Sequence, residues 1–149
     1  MNSFILKRPP YSFNSWKKAT ASQKLRYKTL LENAFAQFNA ENKHETDLYG
    51  IVYHFYTKNE NIDADNLSKP VWDCLTGFLF EDDSQVKMRI AGSFDFRNNK
   101  IGLLDFSTLR EDIAAELLQA FEQEEHFIYV ECGKLNYNMF TFNLEQYEN

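Results

Sequence analysis

Proline and glycine are scarce, at 3 and 5 residues, and there are only 2 cysteines. So few chain breakers, with no run of one or two residue types, exclude a low-complexity or collagen-like chain and point to ordered structure. Cys74 and Cys132 lie far apart and neither belongs to a Cys-x-x-Cys pair. That spacing excludes the common zinc patterns and a disulfide-stapled scaffold, so both thiols are expected to be reduced and structural. No apolar stretch approaches the ~20 residues of a membrane span, and Phe4-Ile5-Leu6 is too short for a secretory signal core. A cytoplasmic protein is expected, with no membrane partner and no small-molecule cofactor. Acids are absent from residues 1–31, where Lys7, Arg8, Lys17, Lys18, Lys24, Arg26 and Lys28 sum to +7. The remainder holds 9 basic and 22 acidic residues, or −13, which gives the net −6. Such asymmetry is a partner signal, because clustered positive charge attracts phosphate even on an acidic protein.

Aromatic residues are plentiful, with 14 phenylalanines, and 149 residues suffice for one domain with a real core. Phe4–Lys7 is expected to be a short strand stopped by Pro9-Pro10, and Tyr11–Ala19 a loop. Phe13 and Trp16 interleave with Lys17 and Lys18 there, a pattern able to stack on bases and hold phosphates, although a lone tryptophan more often packs into a core. Ser22 is the expected cap of a helix over Gln23–Asn39, buried through Leu30, Leu31, Ala34, Phe35 and Phe38. Leu48–Thr57 is apolar on both faces and predicts a central strand, with His54 a half-buried sheet residue rather than a catalyst.

The stretch from Asp63 to Ile90 organises the rest. Asp63 and Asp65 stand two residues apart, followed by a predicted helix over Asn66–Phe78 whose stripe is Leu67, Val71, Leu75 and Phe78. Lys69 lies one turn in, with Asp73 as its partner four residues on. A second acidic cluster, Glu81-Asp82-Asp83, opens a strand in which Val86, Met88 and Ile90 face one way and Gln85, Lys87 and Arg89 the other. Extending that parity back favours Asp83 over Asp82 as a third working carboxylate. A helix folding back between two acidic tips can gather three oxygen donors, which is what a hard cation such as Mg²⁺ needs. The pair does not start an EF-hand loop: the sixth position is Ser68 rather than Gly, the twelfth is Cys74 rather than Glu, and Pro70 interrupts. As an isolated feature, Asp-x-Asp is most often a helix cap plus a surface acid.

Further on, Asn98-Asn99-Lys100 predicts a turn and Ile101–Phe106 a returning antiparallel strand. Thr108-Leu109-Arg110-Glu111 has the form of a capping box, opening a helix with Leu109, Ile113, Leu117 and Phe121 on one stripe. The acidic run Glu122–Glu125 ends it. Phe127–Cys132 and Leu135–Leu144 are expected to pair as a hairpin around Gly133-Lys134. This tail could thicken the sheet, cover an edge strand or enlarge a dimer interface.

Asp63-Ala64-Asp65-Asn66-Leu67-Ser68-Lys69, Asp73-Cys74-Leu75 and Asp82-Asp83-Ser84-Gln85-Val86 together resemble the RusA family of Holliday junction resolvases. Arg8-Pro9-Pro10 adds a weaker match. The resemblance implies an α+β fold, a mixed sheet flanked by about three helices with an acidic site at one sheet end, here extended by a C-terminal helix and hairpin. It implies one domain over 1–149: a basic strand, loop and helix over 1–45, a catalytic core over 46–106 and an extension over 107–149. It also implies a homodimeric, Mg²⁺-dependent endodeoxyribonuclease (Mn²⁺ also suits the donors) that acts on branched DNA. The catalytic set would be Asp63, Asp65, Asp83 and Lys69, with the three aspartates as metal ligands. Where the family carries a basic run before the Asp-x-Asp pair, this chain has only Lys58. The expected DNA contacts therefore shift to Lys17, Lys18, Lys24, Arg26 and Lys28, together with Lys58. A non-catalytic DNA-binding or protein-interaction module on the same fold is the main alternative, and a nuclease for other branched DNA the second.

Overall fold

The computed structural model describes residues 1–40, 42–58, 62–98 and 101–147. Among them are four strands, β1 (Asn2–Leu6), β2 (Leu48–Tyr56), β3 (Val86–Asp95) and β4 (His126–Lys134). Four α-helices accompany these: α1 (Phe13–Lys18), α2 (Ala21–Phe38), α3 (Ser68–Leu75) and α4 (Glu111–Gln123). The sheet order is β1-β4-β2-β3, with β2 and β3 parallel and the other two pairings antiparallel. The fold is thus the α+β mixed sheet that the motif implies, and β2 is interior as its two apolar faces require.

Alternation along the strands divides the apolar residues between two cores. On one face Phe4, Leu6, Leu48, Val52, Ile128 and Val130 pack against α2 and α3. On the other, Ile5, Phe55, Phe127 and Tyr129 pack against α4 through Ile113, Leu117 and Ala120. Leu67, Val71 and Leu75 of the predicted stripe are fully buried, and Phe78 packs at its margin. The helix itself is shorter than its periodicity suggests. A 3₁₀ turn over Ala64–Asn66 precedes it, and Gly77, at φ +82°, takes the left-handed exit.

Several local expectations are corrected. Tyr11–Ala19 is not a loop: Ser12 accepts from the Ser15 amide at 3.1 Å and caps α1, which buries Trp16 against Tyr11 and Tyr27. The core explanation for Trp16 therefore holds. Thr20, not Ser22, caps α2, in a reciprocal box with Gln23. Ile101–Phe106 forms no strand; Ile101–Leu103 is a 3₁₀ turn, so β3 is a sheet edge. Asn99 and Lys100 of the predicted turn lie outside the described residues, as do Asn59–Asn61. Thr108 caps nothing, because the Leu109 amide turns back to the Phe106 carbonyl at 3.0 Å and α4 begins only after Arg110. Arg110 instead ties α4 to the end of α2, donating to the Phe38 carbonyl at 2.6 Å and to Asp112 at 2.9 Å. β4 has no returning partner over Leu135–Leu144, which makes a 3₁₀ turn at Tyr137–Met139 and another beginning at Leu144. The neighbours of β4 are already β1 and β2, so β4 has no free side to pair with that segment.

Candidate active site

The crossover from β2 to β3 builds the site. Its acidic turn carries Asp63 at the head and Asp65 within, and packs with α3 against β3. Both aspartates are exposed, and neither carboxylate has a hydrogen bond or ion pair among the described residues. A cleft of about 400 Å³ runs between this turn and β3, lined by Ala64, Asp65, Ser68, Lys69, Arg89 and Ala91. Asp65 and Lys69 therefore share one cavity, whereas Asp63 stands outside its lining.

Lys69 projects from the first turn of α3 and donates to Asp73 Oδ1 at 2.9 Å and Asp83 Oδ2 at 3.0 Å. The two hydrogen bonds, Asp73 foremost, raise the Lys69 pKa; the Lys69 ammonium in turn lowers that of Asp83. Asp83 is the first residue of a 3₁₀ turn over Asp83–Gln85. Asp82 is consumed in capping that turn, accepting from the Ser84 amide at 3.1 Å. Gln85 locks the turn by accepting from the Asp82 amide at 3.2 Å and donating to the His44 carbonyl at 3.1 Å. Asp83 rather than Asp82 thus faces Lys69, for a reason of turn geometry and not strand parity.

Parity itself fails one residue later. Leu48 pairs with Val86 but Tyr49 pairs with Met88, so Lys87 is bulged out. Beyond the bulge the faces exchange: Arg89 and Ala91 turn to the α3 side, and Met88 and Ile90 to the α4 side. Arg89, unassigned by the sequence reading, reaches the cleft in this way. Its Nη2 donates to the Asp83 carbonyl at 2.9 Å and lies 3.8 Å from Asp83 Oδ2.

Among the described residues, no three His, Cys, Asp or Glu side chains stand close enough to hold one metal ion. The donor chemistry nonetheless suits a hard cation, since Asp63 and Asp65 offer unpartnered carboxylate oxygens. The third carboxylate, Asp83, is engaged by Lys69 and approached by Arg89.

The helices α1 and α2, which carry Lys17, Lys18, Lys24, Arg26 and Lys28, both contact α3, whereas Lys7 pairs with Glu116 of α4. Lys17, Lys18 and Arg26 are exposed. Lys24 lies over the Trp16 ring at 5.5 Å, and Lys28 pairs loosely with Glu32 at 4.0 Å. Lys58 is bound to Glu125 at 2.9 Å, which gives one acid of the run after α4 a structural use. His54 is fully buried on the α3 side of the sheet, its Nε2 at 3.2 Å from His126 Nδ1. Burial, then the neighbouring His126, lowers its pKa to about 4. Burial likewise pushes the Cys74 and Cys132 thiols up to about 12, as inert structural thiols require.

No helix of the described residues is long and apolar enough to cross a membrane. None of the curated proteins compared matches the chain. The family model described as "Endodeoxyribonuclease RusA" matches residues 11–103, which contain the acidic turn, Lys69, Asp83 and Arg89 and make up more than half of the 149 residues. On that match the chain belongs to the RusA endodeoxyribonuclease family.

Proposed function

We propose that this protein is a Mg²⁺-dependent endodeoxyribonuclease that resolves four-way DNA junctions in recombination and repair, acting in the cytoplasm as a homodimer of single-domain subunits. The observation that carries the reading is the cleft that Asp65 and Lys69 both line, with Asp83 hydrogen-bonded to the same lysine. Nucleases of this family generally depend on divalent metal. Here Asp63, Asp65 and Asp83 would hold the ion, Mn²⁺ being an acceptable substitute, with Asp83 shared between the ion and Lys69, which donates to its Oδ2. When bound, the ion supplies charge compensation for the phosphodiester and a more acidic water.

The remaining work falls to the chain. Lys69 is a point charge able to meet a non-bridging phosphate oxygen as charge builds there. Lys17, Lys18, Lys24, Arg26 and Lys28 form the landing surface for the arms, flanking the helix that bears Lys69. Lys58 contributes less, because its ammonium is already paired with Glu125. A four-way junction has approximate two-fold symmetry, so two opposed cuts suit two copies related by a dyad.

The deciding experiment incubates wild type and Asp65→Asn with a synthetic four-way junction in Mg²⁺ and in EDTA. Wild type is expected to cut in Mg²⁺ alone. Asp65→Asn is expected to lose at least about a hundredfold in rate, in the range of removing a key electrostatic group, at an unchanged melting temperature. A folded dimer that never cuts in metal would sink the proposal. A second reading, a DNA-binding or protein-interaction module without catalysis, draws on the engagement of Asp83 by Lys69 and on the net charge of −6. Junction binding without cutting would favour it. Faster cutting of flaps or forks than of junctions would reassign the substrate to other branched DNA.

A further inference from the structure

We propose that Arg89 is a phosphate-contacting residue of the cleft, delivered there by the β-bulge at the start of β3. The inference rests on the DNA-cutting reading above and adds to it a residue that the acidic motif does not contain.

Three observations support it. First, the bulge has a directional consequence. In an unbroken strand Val86, Met88 and Ile90 would share the α3 face, and Ile90 would line the cleft. Skipping Lys87 places Arg89 there instead, in register with Gly50 of β2, over which the Trp72 ring of α3 lies. Bulges beside functional sites commonly re-aim a side chain in this way. Second, the guanidinium is held in one orientation. Nε donates to the Val86 carbonyl at 3.2 Å and Nη2 to the Asp83 carbonyl at 2.9 Å, while Nη1 has no partner among the described residues. A braced guanidinium with a free edge loses little rotamer freedom on meeting a phosphate, and planar Arg groups suit phosphate oxygens. Third, Arg89 and Lys69 line the same cleft, with Asp65 and Ser68, and both approach Asp83 Oδ2. Two cations converging on one point form a seat for the non-bridging oxygens of a phosphodiester. Asp83, 3.0 Å from Lys69 and 3.8 Å from Arg89, occupies the anion position between them in the free protein.

The rival explanation is that Arg89 merely pins the Asp83 turn. The two separate in a binding experiment that needs no cleavage. Wild type, Arg89→Gln and Arg89→Lys are titrated with a synthetic immobile four-way junction in EDTA, across a series of salt concentrations. Lys134→Gln, on β4 outside the cleft, controls for loss of one positive charge. A lost phosphate contact lowers affinity about tenfold for Arg89→Gln and reduces the slope of log affinity against log salt by about one. Arg89→Lys recovers part of the affinity, and Lys134→Gln changes it little. Wild-type affinity and slope in Arg89→Gln would overturn the proposal. So would a lower melting temperature in both Arg89 variants with the slope unchanged, which is the signature of a brace. If wild type itself fails to bind the junction, the DNA reading falls and Arg89 falls with it. If wild type binds and only Arg89→Gln matches it, the DNA reading survives alone.

Discussion

The two faces of the sheet are made by the same four strands yet are finished differently. On the α3 side, α2 and α3 close over a continuous core, and Leu67, Val71, Trp72, Leu75, Leu79 and Phe80 are all fully buried. On the α4 side a single helix covers part of the sheet. A cavity of about 240 Å³ remains beside Ile51, Tyr53 and Phe121, and Phe94 is 41% exposed on the edge strand. The polar cleft opens at the rim of the closed face. A groove that must hold charged groups within tenths of an ångström gains from a rigid floor, whereas the looser face carries no candidate chemistry from the motif. Rigidity and charge are thus concentrated on one side.

The largest test of that contrast is a matched pair of truncations. Trp72 is fully buried under the sheet, with Gly50 directly beneath its ring. Trp72→Ala is expected to cost about 4 kcal/mol, the range for deleting a core aromatic. Tyr53→Ala, at the half-open cavity, is expected to cost about 1 kcal/mol, because its ring is only partly removed from water. Denaturant melts of both variants measure the difference. Equal costs would show that the second face is as well packed as the first.

A pH titration probes the closed face at its far end. His54 has no exposure and a pKa lowered to about 4, so the folded protein keeps it neutral where the unfolded chain protonates it. The unfolded state therefore binds more protons between about pH 6.5 and pH 4, and stability falls as pH drops through that window. With His126 stacked on it, Ser93 beside it and the Tyr56 ring tilted near, the single histidine is expected to contribute up to about 3 kcal/mol of this loss. His54→Gln should flatten the stability profile across that window. An unaltered profile would mean that the histidine titrates normally.

What was legible in the sequence follows the same division. Long periodic elements bury one side, and their spacing shows it: the stripe through Leu67, Val71 and Leu75, the stripe through Ile113 and Leu117, and the two-faced strand of β2 all stand where periodicity puts them. Short elements answer to tertiary contacts that periodicity does not carry. The six residues of α1 depend on the Ser12 cap and on the pocket that receives Trp16. Ile101–Phe106 is apolar enough for a strand, but β3 has no partner there and Leu103 is 83% exposed. At the site, the residue types of the acidic turn and Lys69 were visible because their chemistry is dense in sequence. Arg89 was not, because only the skipped Lys87 sets its direction, and neither residue type marks a bulge. The engagement of Asp83 by Lys69 was hidden as well, since the sequence places them 14 residues apart.

Glycines sharpen the comparison at the smaller end of the scale. A Cβ on Gly50 would lie 2.3 Å from the Trp72 ring, and the ring is wedged between the sheet and α3 with Phe80 beside it. Gly50→Ala must therefore shift a side chain that has nowhere to go, and overpacking of this kind costs about 2 kcal/mol. Gly102 lies in the 3₁₀ turn after β3, has no atom within 4 Å of such a Cβ and shows no left-handed backbone. Gly102→Ala is expected to be neutral, or to stabilise by about 0.5 kcal/mol through a less flexible unfolded chain. The two substitutions add the same methyl group, so a difference of about 2 kcal/mol between their denaturation midpoints measures confinement alone. The same variants carry a functional reading. Arg89 faces the cleft directly opposite Gly50 in the parallel register. If the floor beneath the cleft positions its cations, Gly50→Ala lowers junction affinity along with stability, and Gly102→Ala leaves both in place. Loss of stability at full affinity would show that the cleft tolerates movement of its floor, and would separate the rigidity of the closed face from its chemistry.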